Sequence, residues 1–195
     1  MIIGLTGSIA GGKTTSAKFL KQLGMYTIDA DKIAHDLTNL DSPVLYEVLR
    51  VFGTDILYEN GTLNRKKLAY IIFSDNYMKL KLEKILHKHI VFNIERKIRC
   101  NINKYKNILL DVPLLFETGL HNICDLTIVI YTSYQYQIKR LMCRDNLSYE
   151  QINKRIINQF PITSKMQLAD VIVNNLGSKK DLKKKMKRLY KLFNS

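Results

Sequence analysis

The feature that most constrains the fold is a glycine-rich stretch near the start of the chain. The segment GSIAGGKT, residues 7–14, matches the pattern G-x-x-x-x-G-K-[ST] at every fixed position. An apolar run, Ile2 to Thr6, precedes it, and the helical spacing of Ala17, Leu20 and Leu23 follows it. In the order strand, loop, helix, this pattern predicts a loop whose backbone N–H groups surround phosphate oxygens.

The rest of the chain continues the alternation of apolar strands and amphipathic helices. Strands are expected at Ile2–Thr6, Met25–Ile28, Ile108–Val112, Leu126–Tyr131 and Val171–Val173. Helices are expected at Lys13–Leu23, from Lys32, at Pro43–Phe52, at Asn64–Asn103 with a break near Ser74–Asn76, and at Tyr134–Arg144, Ser148–Gln159 and Ser178–Phe193. This alternation predicts an α/β fold, a parallel five-stranded sheet covered by helices as in phosphate-loop nucleoside triphosphate hydrolases.

The helical stretch after the second strand is longer than a simple crossover needs. We therefore expect part of it to form a substrate-binding region. The expected organisation is one unit, 1–195, with a nucleotide-binding core at 1–31, 105–133 and 168–195, a helical acceptor-binding region at 32–104 and a lid at 134–167.

Charge and composition limit the classes of partner. The 195 residues carry a formal net charge of +14, which favours anionic partners. In the lysine-rich C-terminal segment, Leu182, Met186, Leu189 and Phe193 recur at helical spacing, so the lysines are expected to form a solvated helix face and no nucleic acid is expected. A basic nucleic-acid-binding protein stays an alternative. No apolar run reaches the roughly 20 residues of a membrane span, so no membrane association and a cytoplasmic location are expected.

Polar side chains follow the predicted strands where the carboxyl ends of a parallel sheet collect ligands. Asp29 and Asp31 follow the second strand, and Asp111 ends the third. We expect these carboxylates and the glycine-rich loop to converge. Asp31 has two open interpretations: it caps the helix from Lys32, or it accepts the proton of a hydroxyl acceptor.

Cations of the loop and of the later helices suit phosphoryl transfer. Lys13 is expected to reach the β and γ phosphates of a nucleotide, and the Thr14 hydroxyl to ligate Mg²⁺. Asp111 is placed like the carboxylate that orders Mg²⁺ through water in phosphate-loop proteins. Arg140 and Arg144 lie on one face of a helix, where arginines of a lid could stabilise the transferring group.

Further motifs resemble the dephospho-coenzyme A kinase family along essentially the whole chain. They are the loop at 7–14, Ile28–Asp31, Phe52-Gly53, Asn60–Arg65, Leu86-His87, Pro113–Glu117, Gln137–Leu141, Arg144-Asp145, Gln159, Ala169-Asp170 and Asn174–Gly177. The loop alone is common to many families, whereas this ordered set is specific.

The resemblance implies transfer of the ATP γ-phosphate to the ribose 3′-hydroxyl of dephospho-coenzyme A, the last step of coenzyme A synthesis, with ATP and Mg²⁺. The sequence does not give the oligomeric state, and a monomer is expected. It implies that Asp31 is the base and that Lys13 and Arg140 are also catalytic. The implied ATP-binding residues are Gly7, Ser8, Ile9, Ala10, Gly11, Gly12, Lys13, Thr14, Thr15, Arg144, Asn175 and Gly177, with Asn175–Gly177 near the adenine. The implied acceptor side is Asp29, Asp31, Arg65, His87, Leu114, Leu115 and Glu117, and the implied metal ligand is Thr14.

Some positions depart from the family pattern. The family has more glycine where this chain has Ser8 and Ala10, Ser is commoner at Thr14, and Lys88 replaces a common proline after His87. Ala10 is tolerable at a negative φ and costly at a positive one. The alternatives are another phosphate-loop kinase for a nucleotide or small alcohol, and a GTP switch, which is disfavoured because the sequence contains no Asn-Lys-x-Asp motif.

Overall fold

The computed structural model describes residues 1–145, 148–157 and 160–194. The chain divides into two compact units. One comprises residues 1–29 and 98–195, and the other comprises residues 30–97.

The first unit contains one sheet, whose strands are β1 (Ile2–Gly7), β2 (Tyr26–Asp29), β3 (Ile108–Asp111), β4 (Leu126–Tyr131) and β5 (Val171–Asn174). The strand order is β2-β3-β1-β4-β5, and every neighbouring pair is parallel. β3 is buried along its whole length and β1 beyond its first residue, as expected for central strands of a sheet covered on both faces. The predicted parallel five-stranded sheet is confirmed.

The described helices are α1 (Lys13–Gln22), α2 (Ala30–Asp36), α3 (Pro43–Phe52), α4 (Arg65–Ser74), α5 (Asn76–Asn101), α6 (Tyr134–Asp145), α7 (Tyr149–Ile157), α8 (Ile162–Leu168) and α9 (Lys179–Asn194). Short 3-10 turns lie at Thr54–Ile56 and Leu120–Ile123. The predicted extension of α7 to Gln159 lies outside the described residues.

The apolar stripe of α9 packs on the core of the first unit, as predicted. Leu182 and Met186 are buried and belong to one cluster with Leu20 of α1 and Leu109 and Ile128 of the sheet. Each fully buried aliphatic side chain of this kind contributes about 1.5–3 kcal/mol. The lysines of α9 therefore form its outer face, because the inner face supplies the packing.

The second unit is helical and has its own core, formed by Leu45, Val48, Ile56 and Leu82 among others. The Ser42 hydroxyl accepts a hydrogen bond from the N–H of Val44 at 3.3 Å and caps α3. Helix α5 runs for 26 residues without a break.

Two elements differ from the sequence-based prediction. Helix α2 begins at Ala30, directly after β2, and not at Lys32, so Asp31 lies within its first turn and not at the capping position before the helix. Helix α8 has no counterpart among the predicted helices. Its most deeply buried residue is Lys165, so it lacks the apolar stripe that identifies a helix in sequence.

Candidate active site

The phosphate loop connects β1 to α1, and its glycines are required by close contacts. A Cβ on Gly7 would lie 2.6 Å from the Ile130 carbonyl oxygen, and one on Gly11 would lie 2.7 Å from the Ser8 carbonyl oxygen. Gly12 has φ of 99°, and α1 begins at the next residue, Lys13. The loop, with Ser8 and Ile9 within it and Thr14 and Thr15 in the first turn of α1, forms a cradle at a helix N-terminus that suits a polyphosphate.

Ala10 occupies a backbone conformation that favours glycine. Its φ is 54°, in the left-handed region. An L-residue with a Cβ pays about 1–2 kcal/mol there. The sequence left open whether the φ of Ala10 is negative, and so tolerable, or positive, and so costly. The structure shows the positive φ, so alanine in place of the family's glycine destabilises this loop conformation.

Lys13 and Asp111 form an ion pair at the carboxyl end of the sheet. Lys13 Nζ lies 2.6 Å from Asp111 Oδ1, and the two side chains are 15% and 6% exposed. β3 lies beside β1, with Asp111 opposite Leu5, so the strand order brings the carboxylate to the loop. A buried charge needs a partner of opposite charge, and the Lys13 ammonium and the Asp111 carboxylate are partners of this kind.

Asn175 is a buried residue that contacts the loop from the segment after β5. Its side-chain amide donates to the Gly11 carbonyl oxygen at 2.7 Å, and its own carbonyl accepts from the Thr132 hydroxyl at 3.1 Å. Asn175 is 6% exposed. Sequence reasoning placed it near the adenine and missed this contact, because it joins residues 164 positions apart. Gly177 follows in the loop before α9.

The two arginines of α6 have different surroundings. Arg140 donates to the carbonyl oxygens of Ala10 at 3.1 Å and of Asn175 at 2.9 Å, so its guanidinium also binds the phosphate loop. Arg144 donates to both carboxylate oxygens of Asp145 at 2.6 and 2.9 Å, and this hydrogen-bonded partner raises the pKa of Arg144.

Among the predicted acceptor residues, Asp29 lies in the first unit and is paired in register with Asp111 across β2 and β3. The carboxyl ends of β1, β2 and β3 therefore bring the loop, Asp29 and Asp111 to one edge of the sheet, as predicted. Asp31 is exposed in the first turn of α2, in the second unit. Its proximity to the loop stays a prediction.

Arg65 and His87 also lie in the second unit. Arg65 donates to the His35 carbonyl oxygen at 3.0 Å, lines a cavity of about 210 Å³ with residues 35, 38–40 and 62–63, and has its pKa lowered by burial. His87 is exposed on α5. The adjacent Lys88 continues the helix and its Nζ lies 2.7 Å from Glu47, so this departure from the family leaves the helix intact. Hydrogen bonding by Lys88 lowers the pKa of Glu47.

The turn after β3 divides into buried and exposed residues. Leu114 is 46% exposed, whereas the Leu115 side chain is fully buried. In this conformation Leu115 fills the core, and its predicted contact with an acceptor stays untested. Glu117 Oε1 lies 2.8 Å from Nζ of Lys165 on α8. Sequence reasoning missed Lys165, because helix α8 was not predicted and a single lysine in the sequence gives no signal of burial.

The donor set of the loop fits a hard cation. Thr14, with its hydroxyl, lies in the first turn of α1, and Asp111, with its carboxylate, is the last residue of β3. Within residues 1–145, 148–157 and 160–194, no group of three or more His, Cys, Asp or Glu side chains could hold a metal. Mg²⁺ suits such a site because it keeps several waters and uses one or two protein ligands together with phosphate oxygens. None of the described helices is long and apolar enough to cross a membrane.

Comparisons with known proteins agree with this geometry. A dephospho-CoA kinase from Staphylococcus aureus is 38% identical over 190 residues, which cover 97% of this chain and 92% of the relative. The structure of dephospho-CoA kinase from Campylobacter jejuni superposes with a TM-score of 0.72 at 32% identity, covering 97% and 95% of the two chains. Shikimate kinase from Acinetobacter baumannii, at 17% identity with a TM-score of 0.56 and coverage of 100% and 94%, shares the phosphate-loop kinase fold.

The chain also matches a family model. The model described as dephospho-CoA kinase matches residues 1–181. That match, the 38% identity and the phosphate loop at the carboxyl edge of the sheet together show that this chain belongs to the dephospho-CoA kinase family.

Proposed function

We propose that this chain transfers the γ-phosphoryl group of ATP to the ribose 3′-hydroxyl of dephospho-coenzyme A, with residues in the roles given below. It is a transferase of the final step of coenzyme A biosynthesis, with an alcohol group as acceptor. The observation that carries this conclusion is the family match over residues 1–181, because the phosphate loop alone does not identify the acceptor.

The nucleotide binds at the loop. Backbone N–H groups of residues 8–14 and the N-terminus of α1 hold the phosphates, and Lys13 exchanges its contact with Asp111 for phosphate oxygens. Thr14, directly, and Asp111, through water, would hold Mg²⁺, which neutralises phosphate charge when bound. Arg144 and the segment Asn175–Gly177 complete the ATP side.

Asp31 is the general base of the transfer. Its carboxylate accepts the proton of the 3′-hydroxyl as that oxygen forms a bond to the γ-phosphorus, and the bond from phosphorus to the bridging oxygen breaks to release ADP. Arg140 and Lys13 stabilise the charge that spreads over the transferring group. Asp29, Arg65, His87, Leu114, Leu115 and Glu117 form the acceptor side.

The direct test is product formation. The purified chain is incubated with ATP, Mg²⁺ and dephospho-coenzyme A, and the products are analysed by mass spectrometry. We expect coenzyme A and ADP in equal amounts, and a loss of about 10²- to 10³-fold in turnover for Lys13→Met. Lys18→Met, an exposed position on the same helix, serves as the matched control. Absence of coenzyme A, with phosphorylation of a different alcohol, would contradict the proposal.

Three expectations from the sequence stay predictions. The chain is expected to act as a monomer in the cytoplasm without a nucleic-acid partner. A nucleic-acid-binding function would require strong, salt-sensitive binding of RNA or DNA by the lysine face of α9, which a titration at two salt concentrations measures.

A further inference from the structure

Helix α8 buries a lysine and exposes a leucine, the reverse of the usual pattern. Lys165 is 2% exposed, whereas Leu168 is 55% exposed. Lysine is almost never fully buried unless its charge is paired. The inward face of α8 is therefore organised around Lys165. Local departures from patterning of this kind are expected at functional sites.

The ammonium group of Lys165 binds both ends of the turn after β3. Nζ lies 2.8 Å from Glu117 Oε1 and donates to the Pro113 carbonyl oxygen, also at 2.8 Å. The hydroxyl of Thr6, from β1, donates to the same carbonyl at 2.9 Å. Side chains from two distant elements thus fix Pro113, and one of them also fixes Glu117.

This buried pair is not explained by stability. Desolvation of two charges offsets most of their attraction, and replacing such a pair by apolar side chains of similar volume is often neutral or stabilising. The pair instead restricts conformation, because the Lys165 ammonium group binds the Glu117 carboxylate and the Pro113 carbonyl oxygen and so limits the positions of both oxygens.

The segment whose conformation is restricted is the turn from Pro113 to Glu117, and backbone hydrogen bonds order it further. The N–H of Thr118 donates to the Leu114 carbonyl at 3.0 Å, and the N–H of His121 donates to the Leu115 carbonyl at 3.2 Å. Leu115 is fully buried, while Leu114 is 46% exposed and 20% of the Glu117 side chain is exposed. With its buried side fixed, the turn presents Leu114 and one side of Glu117 outward.

We propose that Lys165 is a positioning residue, which holds the turn in the shape that presents Leu114 and Glu117 to the phosphoryl acceptor. This inference rests on the proposed function, in which the turn lies on the acceptor side. Lys165 is too deeply buried to contact the acceptor itself, so it acts through Pro113 and Glu117.

The test compares the Michaelis constants of the two substrates. In Lys165→Met, the KM for dephospho-coenzyme A is expected to rise about tenfold, while the KM for ATP and kcat stay within about twofold. Lys187→Met, an exposed lysine of α9, is the matched control and leaves all three unchanged. An equal rise of both KM values, or no rise of either, would overturn the proposal.

A second variant separates positioning from structural support. Lys165→Met alone leaves the Glu117 carboxylate without its cation and could unfold the chain, whereas Lys165→Met combined with Glu117→Gln removes both charges. If Lys165 only compensates a buried charge, the double variant regains the wild-type Tm and has the same KM for dephospho-coenzyme A as Glu117→Gln alone. Positioning predicts that Tm recovers while the KM for dephospho-coenzyme A stays about tenfold above that of Glu117→Gln.

Amide hydrogen exchange tests the same claim without substrate. In the folded double variant, the N–H groups of Thr118 and His121 are expected to exchange about tenfold faster than in the wild type. Unchanged exchange would overturn the positioning role. If the wild type forms no coenzyme A, the proposed function fails, and so does the claim that the turn presents Leu114 and Glu117 to the acceptor. The claim that Lys165 orders the turn is tested separately, by the rate of amide hydrogen exchange.

Discussion

Three residues assigned to the nucleotide, Lys13, Arg140 and Asn175, are more buried than three residues assigned to the acceptor. On the nucleotide side, Lys13, Arg140 and Asn175 each bind another part of the first unit through hydrogen bonds of 2.6–3.1 Å. On the acceptor side, Asp31, Arg65 and His87 are exposed on helices of the second unit. Arg140 and Asn175 thereby shape the backbone of the phosphate loop, whereas the three acceptor residues present exposed side chains.

This difference follows from what each substrate requires. A phosphate chain is bound mainly by backbone N–H groups, so the loop must be fixed before binding, and side chains fix it by binding its carbonyl groups. A hydroxyl acceptor is activated by one carboxylate, which contributes little to folding. Nucleotide-side substitutions should therefore change stability and ATP binding together, whereas substitution of the exposed Asp31 should change turnover with little change in stability.

The largest expected effect is on the acceptor side, at Asp31. Asp31→Asn is expected to lower kcat by about 10²- to 10⁴-fold, because the general base is lost. The free energy of unfolding should change by no more than about 0.5 kcal/mol, since the side chain is exposed. Steady-state kinetics and urea denaturation measure both. Asp36→Asn, an exposed position of α2, is the control, and turnover of Asp31→Asn equal to that control would leave Asp31 a helix-terminal residue only.

The next effect is on the nucleotide side, at Asn175. Asn175→Ala removes the donor to Gly11 and is expected to destabilise the chain by about 1–3 kcal/mol. The KM for ATP should rise more than the KM for dephospho-coenzyme A, because the loop loses its support. The adjacent Asn174→Ala, at an exposed position, is the control. Normal ATP binding in a destabilised Asn175→Ala would show that the loop holds its shape without this contact.

A smaller effect is expected at Asp170, at the amino end of β5 and away from the substrates. The hydroxyl and N–H of Thr127 donate to its carboxylate at 2.7 and 2.8 Å and hold the pKa of Asp170 below its ordinary value. A lowered pKa stabilises the fold above the pKa of the unfolded state, and this stability is lost as the pH falls through the folded pKa.

Because Asp170 is exposed and solvent screens its carboxylate, Asp170→Asn should lower the free energy of unfolding by less than about 1 kcal/mol at neutral pH, with less difference from the wild type in acid. Denaturation at a series of pH values measures this, and both KM values should stay unchanged. A difference in the free energy of unfolding between the wild type and Asp170→Asn that grows as the pH falls would contradict this prediction.

The smallest effect is expected at Ala10. Ala10→Gly relieves a positive φ and adds freedom to the unfolded chain, so a net gain of about 0.5 kcal/mol is expected. Ala17→Gly, within α1, has no such strain to relieve and should lose about 1 kcal/mol or more. Thermal denaturation of the two variants measures whether Tm rises in Ala10→Gly and falls in Ala17→Gly. A lower Tm in both variants would show that Ala10 is not strained.

The sequence predicted what local patterns encode. The five strands, helix α3 and the break between α4 and α5 are confirmed, because each depends on residues close together in the chain. Helix α8 was missed because Lys165 occupies its inward position. The contacts of Arg140 and Asn175 with the loop join residues 130 and 164 positions apart. No short pattern encodes such pairs, so the support of the loop could not be derived from its motif.

The central claim is that this fold acts on dephospho-coenzyme A and not on another alcohol, and competition between acceptors tests it most directly. With ATP and Mg²⁺, kcat/KM is measured for dephospho-coenzyme A, for a nucleoside monophosphate and for shikimate, the ligand of a structural neighbour. We predict that dephospho-coenzyme A is preferred by at least about 100-fold. Equal or greater kcat/KM for either alternative would contradict the account.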